Sequence, residues 1–175
     1  FRNQAMMGLL ACAGPAQRDL AALQALSSEA TGSRPHMGDH VLSIATLEGM
    51  IAQGLLDQAS DLLRRTEQMD QHWPFYTPER LRLEGQLAHA SGRTKQAQVF
   101  RQEALTLDLE RGFLPGVLRH LEDDPRLSCQ LKGGTDRSRL DGILRLLLGA
   151  ELDTPDLQPL KAALDTIQLS LDVRG

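Results

Sequence analysis

Aromatic residues are scarce in this 175-residue chain: one Trp, one Tyr and four Phe, or 3% of the total. β-Sandwiches rely on aromatic and β-branched side chains to fill the space between sheets, so the shortage argues against an all-β fold. Cysteine is also rare. Cys12 and Cys129 match no metal-binding or redox spacing, and two cysteines do not make a disulfide framework. A reducing, cytoplasmic compartment is therefore expected. No stretch of 18 apolar residues is present, so no membrane span is expected. Positive charge is not in excess either, with 19 Lys and Arg against 23 Asp and Glu and a net charge of -4. Gripping nucleic acid needs a basic face, so direct nucleic acid contact by these residues is not expected.

What is abundant favours helix. Hydrophobic residues make up 41% and charged residues 24%, and Leu, Ala, Gln, Arg and Glu all have high helix propensity. The opening "FRNQAMMGLLACAG" has the charge and small-residue end of a weak secretory signal, and is read as an amphipathic first helix. Because the chain opens on Phe1, it is expected to be a piece of a longer protein.

Three glycines punctuate the helical patterns. Gly14, Gly54 and Gly92 lie 40 and 38 residues apart, each where a left-handed glycine would end a helix. A period of this size marks helical-hairpin repeats. The pairs are expected at 2–13 with 16–30, at 40–53 with 56–70, and at the segment ending at Gly92 with 94–111. "TGSRPHMGD" (31–39) reads as a loop between the first two pairs. Leu56, Ala59, Leu62, Leu63 and Met69 form one stripe, with Asp61, Arg64 and Arg65 facing water. Thr77 is expected to cap the next helix, with Pro78 in its first turn. Its partner should bury Ala97, Phe100, Ala104 and Leu107, the alanines allowing close helix crossing.

Further on, a short helix is expected at 114–121 and a loop over "EDDPRLSCQLKGGTD". Helices should follow at 137–148, with Leu140, Ile143, Leu144 and Leu147 on one face, and at 155–171 behind a Thr154 cap. The last carries Leu157, Leu160, Leu164, Ile167 and Leu171. A solenoid must cover its final apolar face, so this stripe is expected to cap the array or to form a homodimer surface. The fold class is all-α.

No catalytic constellation emerges. His36 and His40 in "HMGDH" flank Asp39 four residues apart, but the neighbouring Pro35 and Gly38 argue against a helix there. A solvated loop is expected, and no metal. Ser128 and Cys129 have no local activating group. "KGGTD" (132–136) lacks the ending of a phosphate loop, and Thr135 or Asp136 is read as a helix cap. Asp123 and Asp124 read as a solvated turn, and His72 beside Trp73 as turn packing. Trp73, Phe75 and Tyr76 are half of the aromatics, and are expected to fill a wedge between hairpins rather than form a ligand-binding lip. Arg80, Arg82, Arg93 and Arg101 mix with Glu79, Glu84 and Glu103, as in a charged surface with same-helix ion pairs. No catalytic residue and no cofactor are expected.

Residues 40–112 resemble the tetratricopeptide-repeat family. In "LEGQLAHASGRTKQAQVFRQEALTLD", Gly85, Gly92, Ala97, Ala104 and Leu105 stand where that consensus has small or apolar residues. The preceding unit keeps Gly54 and Ala59, but its Gly49 lies two residues from the place equivalent to Gly85. The stretch "WPFYTPERLRLEGQLAHASGR" further resembles the long, degenerate repeats of bacterial transcription regulators and signalling ATPases. The resemblance implies a right-handed array of about three antiparallel hairpins over 1–112, with a helical cap over 113–175 in the same domain. It implies a non-enzymatic regulatory module that binds a protein or peptide partner, or a small effector. The concave groove would be lined by Glu79, Arg82, Gln86 and His89. The alternative it allows is a free-standing scaffold or chaperone-like binding domain.

Overall fold

The computed structural model describes residues 14–23, 37–70, 72–124, 126–127, 131 and 134–148. These are mostly helical, with no strand among the described residues. The helices are α1 (Met37–Ala52), α2 (Leu56–Asp70), α3 (Thr77–Ala90), α4 (Thr94–Arg111), α5 (Leu114–Asp123) and α6 (Gly134–Leu148). Short 3₁₀ turns stand at Pro15–Gln17 and Pro74–Tyr76. The chain divides into two compact units, Phe1–Gln98 and Val99–Gly175, with the division inside α4. The expected helices at 2–13 and 155–171, and with them Leu157, Leu160, Leu164, Ile167 and Leu171, lie outside the described residues.

One stop signal is used three times. Gly54, Gly92 and Gly112 have φ of 76°, 77° and 65°. After α1, Gly54 N–H donates to Ile51 O and Leu55 N–H to Met50 O. After α3, Gly92 and Arg93 donate to His89 O and Ala88 O. After α4, Gly112 and Phe113 donate to Leu109 O and Asp108 O. Each is a Schellman termination, which satisfies the last helical carbonyls and needs a residue that tolerates positive φ. Gly14 departs from expectation: its φ is −55°, so it is no left-handed stop, and Gly112 is the third member of the set.

In the first unit α1 packs on α2, α2 on α3, and α1 on α3. Their common core is Ile44, Leu47 and Met50 from α1, Ala59 and Leu63 from α2, and Leu83 and Leu87 from α3. Leu20, Leu56 and Leu62 pack against it from the edge, in keeping with the apolar stripe read for α2. Two expectations fail at helix starts. Helix α1 begins at Met37, so Gly38, Asp39 and His40 belong to its first turn and not to a loop. Asp39 suits the positive end of the helix dipole. Thr77 does not cap α3, because the Pro74–Tyr76 turn runs straight into the helix and leaves Thr77 itself helical, with φ −52° and ψ −43°.

The second unit has its own core: Leu105 and Leu109 from α4, Val117 and Leu121 from α5, Leu140 from α6, and Leu127. The buried stripe of α4 is Ala97, Ala104, Leu105, Asp108 and Leu109. Phe100 and Leu107, expected inside, are only half-buried. The face is rotated toward Asp108, a charged residue that amphipathic reading places outside. No helix among the described residues is long and apolar enough to cross a membrane.

Candidate functional site

A connected polar cluster among the described residues centres on Glu48 of α1. Residues 46–51 read "TLEGMI", so the carboxylate sits next to the buried Leu47 and half-faces the interior. Its Oε2 accepts from Arg18 Nη1 at 2.6 Å, and its Oε1 accepts from Arg82 Nη2. Arg82, on α3, is 3% exposed and also grips Glu79 with two bonds, Nε at 3.1 Å and Nη2 at 2.8 Å. Bidentate guanidinium–carboxylate pairing is strong and directional. Arg18 makes a second bond to the Ala45 carbonyl at 2.7 Å, while its Nε is buried without a partner among the described residues.

The backbone before α1 lies close on this helix. A Cβ added to Gly49 would meet Leu20 Cδ2 at 2.8 Å, and Arg18 Cβ and Pro15 O at 3.5 Å. Gln53 Nε2 then donates to the Arg18 carbonyl at 3.0 Å. The glycine that stands out of step with the repeat consensus thus lies under the 15–20 segment, where an added side chain would push the tip of Leu20 aside.

Of the four expected groove residues, Glu79 and Gln86 are half-buried and His89 is exposed. Arg82 is interior, its guanidinium spent on Glu48 and Glu79. The expected same-helix pair Arg80–Glu84 forms at 2.7 Å. His40 is not in a solvated loop but fully buried, its ring 4.4 Å from that of Tyr76. Phe75 meets Tyr76 edge-on at 5.7 Å. Phe75 is 57% and Trp73 37% exposed, so only Tyr76 of the three aromatics turns substantially inward. His72 is exposed.

In the second unit His120 Nε2 lies 2.9 Å from Asp108 Oδ2, with both side chains buried. A carboxylate can only accept, so Nε2 carries the shared proton. An acid–histidine pair orients an imidazole for proton transfer when a reacting group can reach its other nitrogen. Nδ1 of His120 is buried with no partner among the described residues, and the pair is closed off as an internal lock. Gly116 of α5 makes room for it. Asp124 is not merely a solvated turn residue: Oδ1 accepts from Arg126 N–H and Oδ2 from Arg101. A groove of about 330 Å³ runs along the outer face of α4, past Val99, Glu103, Leu107 and Glu110 to Asp136. Thr135 and Asp136 are helical residues of α6, not its cap. No group of three potential metal ligands occurs among the described residues. His36, Ser128, Cys129, Lys132 and Gly133 lie outside them.

The residues that sequence reasoning passed over are Arg18, Glu48, Asp108 and Gly116. A signal for two of them, Glu48 and Asp108, exists, and Arg82 shares it. Glu48, Arg82 and Asp108 each follow a leucine inside an apolar stretch, as in "TLEG", "RLRL" and "LTLDL". Such a residue is either an exposed position on the polar face or a paired interior charge. Only the partner decides between them. No protein-family model matches the chain, and neither a curated protein nor a solved structure is similar to it.

Proposed function

We propose that this chain is a non-enzymatic, tetratricopeptide-like regulatory module that binds a protein or peptide partner, or a small effector. Its parent on this reading is a cytoplasmic bacterial signalling protein, most simply a transcription regulator, whose attached effector domain it controls. The observation that carries the proposal is the Glu48–Arg82 ion pair. It ties α1, the first helix of one hairpin, to α3, which the repeat reading makes the first helix of the next. Separating an interior charge pair leaves each charge buried and uncompensated, so the pair resists changes in its geometry. A ligand that alters the angle between α1 and α3 must strain or break this pair, and can thereby pass its binding on. Exposed Trp73 and Phe75 supply an apolar edge at the start of α3, of the aromatic kind that anchors protein contacts.

The test is site-specific photo-crosslinking in cells making the full-length protein. A benzoylphenylalanine replaces Phe75 in the turn leading into α3 or His89 near its C-terminal end, or Asp61 or Arg65 on the exposed face of α2. Discrete adducts confined to the α3 positions are the expected result. Adducts absent at every position, or the same from all four, would sink the reading.

A further inference from the structure

Helix α4 is turned against its own amphipathic pattern. Asp108 faces the core, where His120 meets it, and the neighbouring Leu107 is left half-buried. With Val99, which is 60% exposed, and Leu131, Leu107 supplies the apolar lining of the open groove on the outer side of the helix. The ionisable groups along that groove are all carboxylates: Glu103 and Glu110 of α4, and Asp136 of α6. Asp136 has a loose partner in Arg139 at 3.7 Å. Glu103 and Glu110 are exposed and make no ion pair among the described residues. Val99, Glu103, Leu107 and Glu110 follow one another at steps of four, four and three residues, so they share one face for about 16 Å. We propose that this groove docks a basic amphipathic helix of a partner protein. Its apolar side chains would enter the trough of Val99, Leu107 and Leu131, and its lysines or arginines would meet Glu103 and Glu110.

Three features favour that occupant. The groove runs parallel to a helix and has an apolar lining, the setting in which amphipathic helices dock. Glu103 and Glu110 lie seven residues apart, about 10 Å along the axis, so a single small cation would leave one of them unpaired. A helix lying along α4 repeats at the same pitch: cations seven residues apart on it reach both carboxylates, while the residues three and four further on face the trough. The sign of the charge then selects the partner. A second copy presenting this same face would set carboxylate against carboxylate, and an acidic helix would do the same. The site lies wholly in the second unit and shares no residue with the α3 edge, so it holds whether or not that edge binds.

The probe is a fluorescein-labelled, alanine-based helical peptide with lysine at every seventh position and leucines three and four residues after each lysine. It is titrated by anisotropy against the full chain at physiological salt. Wild type should bind it saturably, and a version with glutamate for lysine should not bind. Glu103→Lys/Glu110→Lys should weaken binding at least about tenfold, and Val99→Ser about threefold. The exposed pair Glu67→Lys/Glu122→Lys changes the net charge equally and should stay within about twofold of wild type. Circular dichroism checks that each variant keeps its helices, and Glu103→Gln/Glu110→Gln, expected to weaken binding at least about threefold, replaces the reversal if that variant does not fold. No binding by wild type overturns the proposal, as does an equal loss from the Glu67 and Glu122 reversal. Unchanged binding in the folded groove variants overturns it too.

Discussion

The carboxylate of Asp108 fills the space that a side chain on Gly116 would need: a Cβ there would lie 2.6 Å from Asp108 Cγ. The glycine is what lets α5 come close enough to α4 for His120 to reach that carboxylate at 2.9 Å. Gly116→Ala must therefore either push the helices apart or expel Asp108 from its bond. Overpacking and a broken interior hydrogen bond together should remove about 2–5 kcal/mol, read from urea unfolding by circular dichroism. In an Asp108→Ala background the same change should add little. Wild-type stability for Gly116→Ala would refute the packing argument.

The two kinds of ion pair in the first unit should behave differently. Glu48 and Arg82 are 15% and 4% exposed at the side chain, whereas Asp61 and Arg64 are 61% and 74% exposed. A double-mutant cycle between Glu48→Gln and Arg82→Gln is expected to show a coupling of about 1–3 kcal/mol. The Asp61–Arg64 cycle should give no more than about 0.5 kcal/mol, since water already screens that pair. Equal couplings would mean that the Glu48 cluster is as loosely held as a surface pair.

Alanine at Gly54, Gly92 or Gly112 places a Cβ in the left-handed region, where φ is 76°, 77° and 65°. Each should cost about 1–2 kcal/mol although no neighbour obstructs the new methyl group. Gly14→Ala, at φ −55° with open space around it, should be neutral or slightly stabilising. Thermal melts of the four variants separate backbone strain from crowding, and a destabilising Gly14→Ala would contradict this account.

Leu47 is fully buried, whereas Phe75 is mostly exposed. Leu47→Ala should lose about 2–5 kcal/mol of stability. Phe75→Ser should change stability by no more than about 0.5 kcal/mol while weakening capture of a partner by a crosslinker at His89. Loss of folding in Phe75→Ser would assign the aromatic edge to packing and not to binding.

Helix positions were legible in the sequence because their causes are local. Apolar spacing along α2, the prolines at 74 and 78, and the glycines at 54 and 92 act through their immediate neighbours, and these helices stand close to where the pattern puts them. Errors arose where a local rule met a distant partner. His40 looked like a loop residue because Pro35 and Gly38 are common helix breakers, yet α1 starts at Met37 and buries the ring beside Tyr76. Arg82 was expected to line a groove because the tetratricopeptide resemblance places it there. In the folded chain it is inside, since Glu48, 34 positions earlier, supplies a carboxylate.

By itself the sequence determined an all-α fold and, among the described residues, where most helices run and the stops at Gly54 and Gly92. Hydrogen bonding, propensity and backbone strain act within a few residues, so a short window contains the information. Tertiary structure alone decided which charges go inside. Arg18 meets Glu48 across 30 positions, and His120 meets Asp108 across 12. The same packing decided that Gly49 and Gly116 are spacers and not stops. An interior charge is tolerated only when a partner and its remaining hydrogen bonds arrive together, and that depends on which helix faces meet.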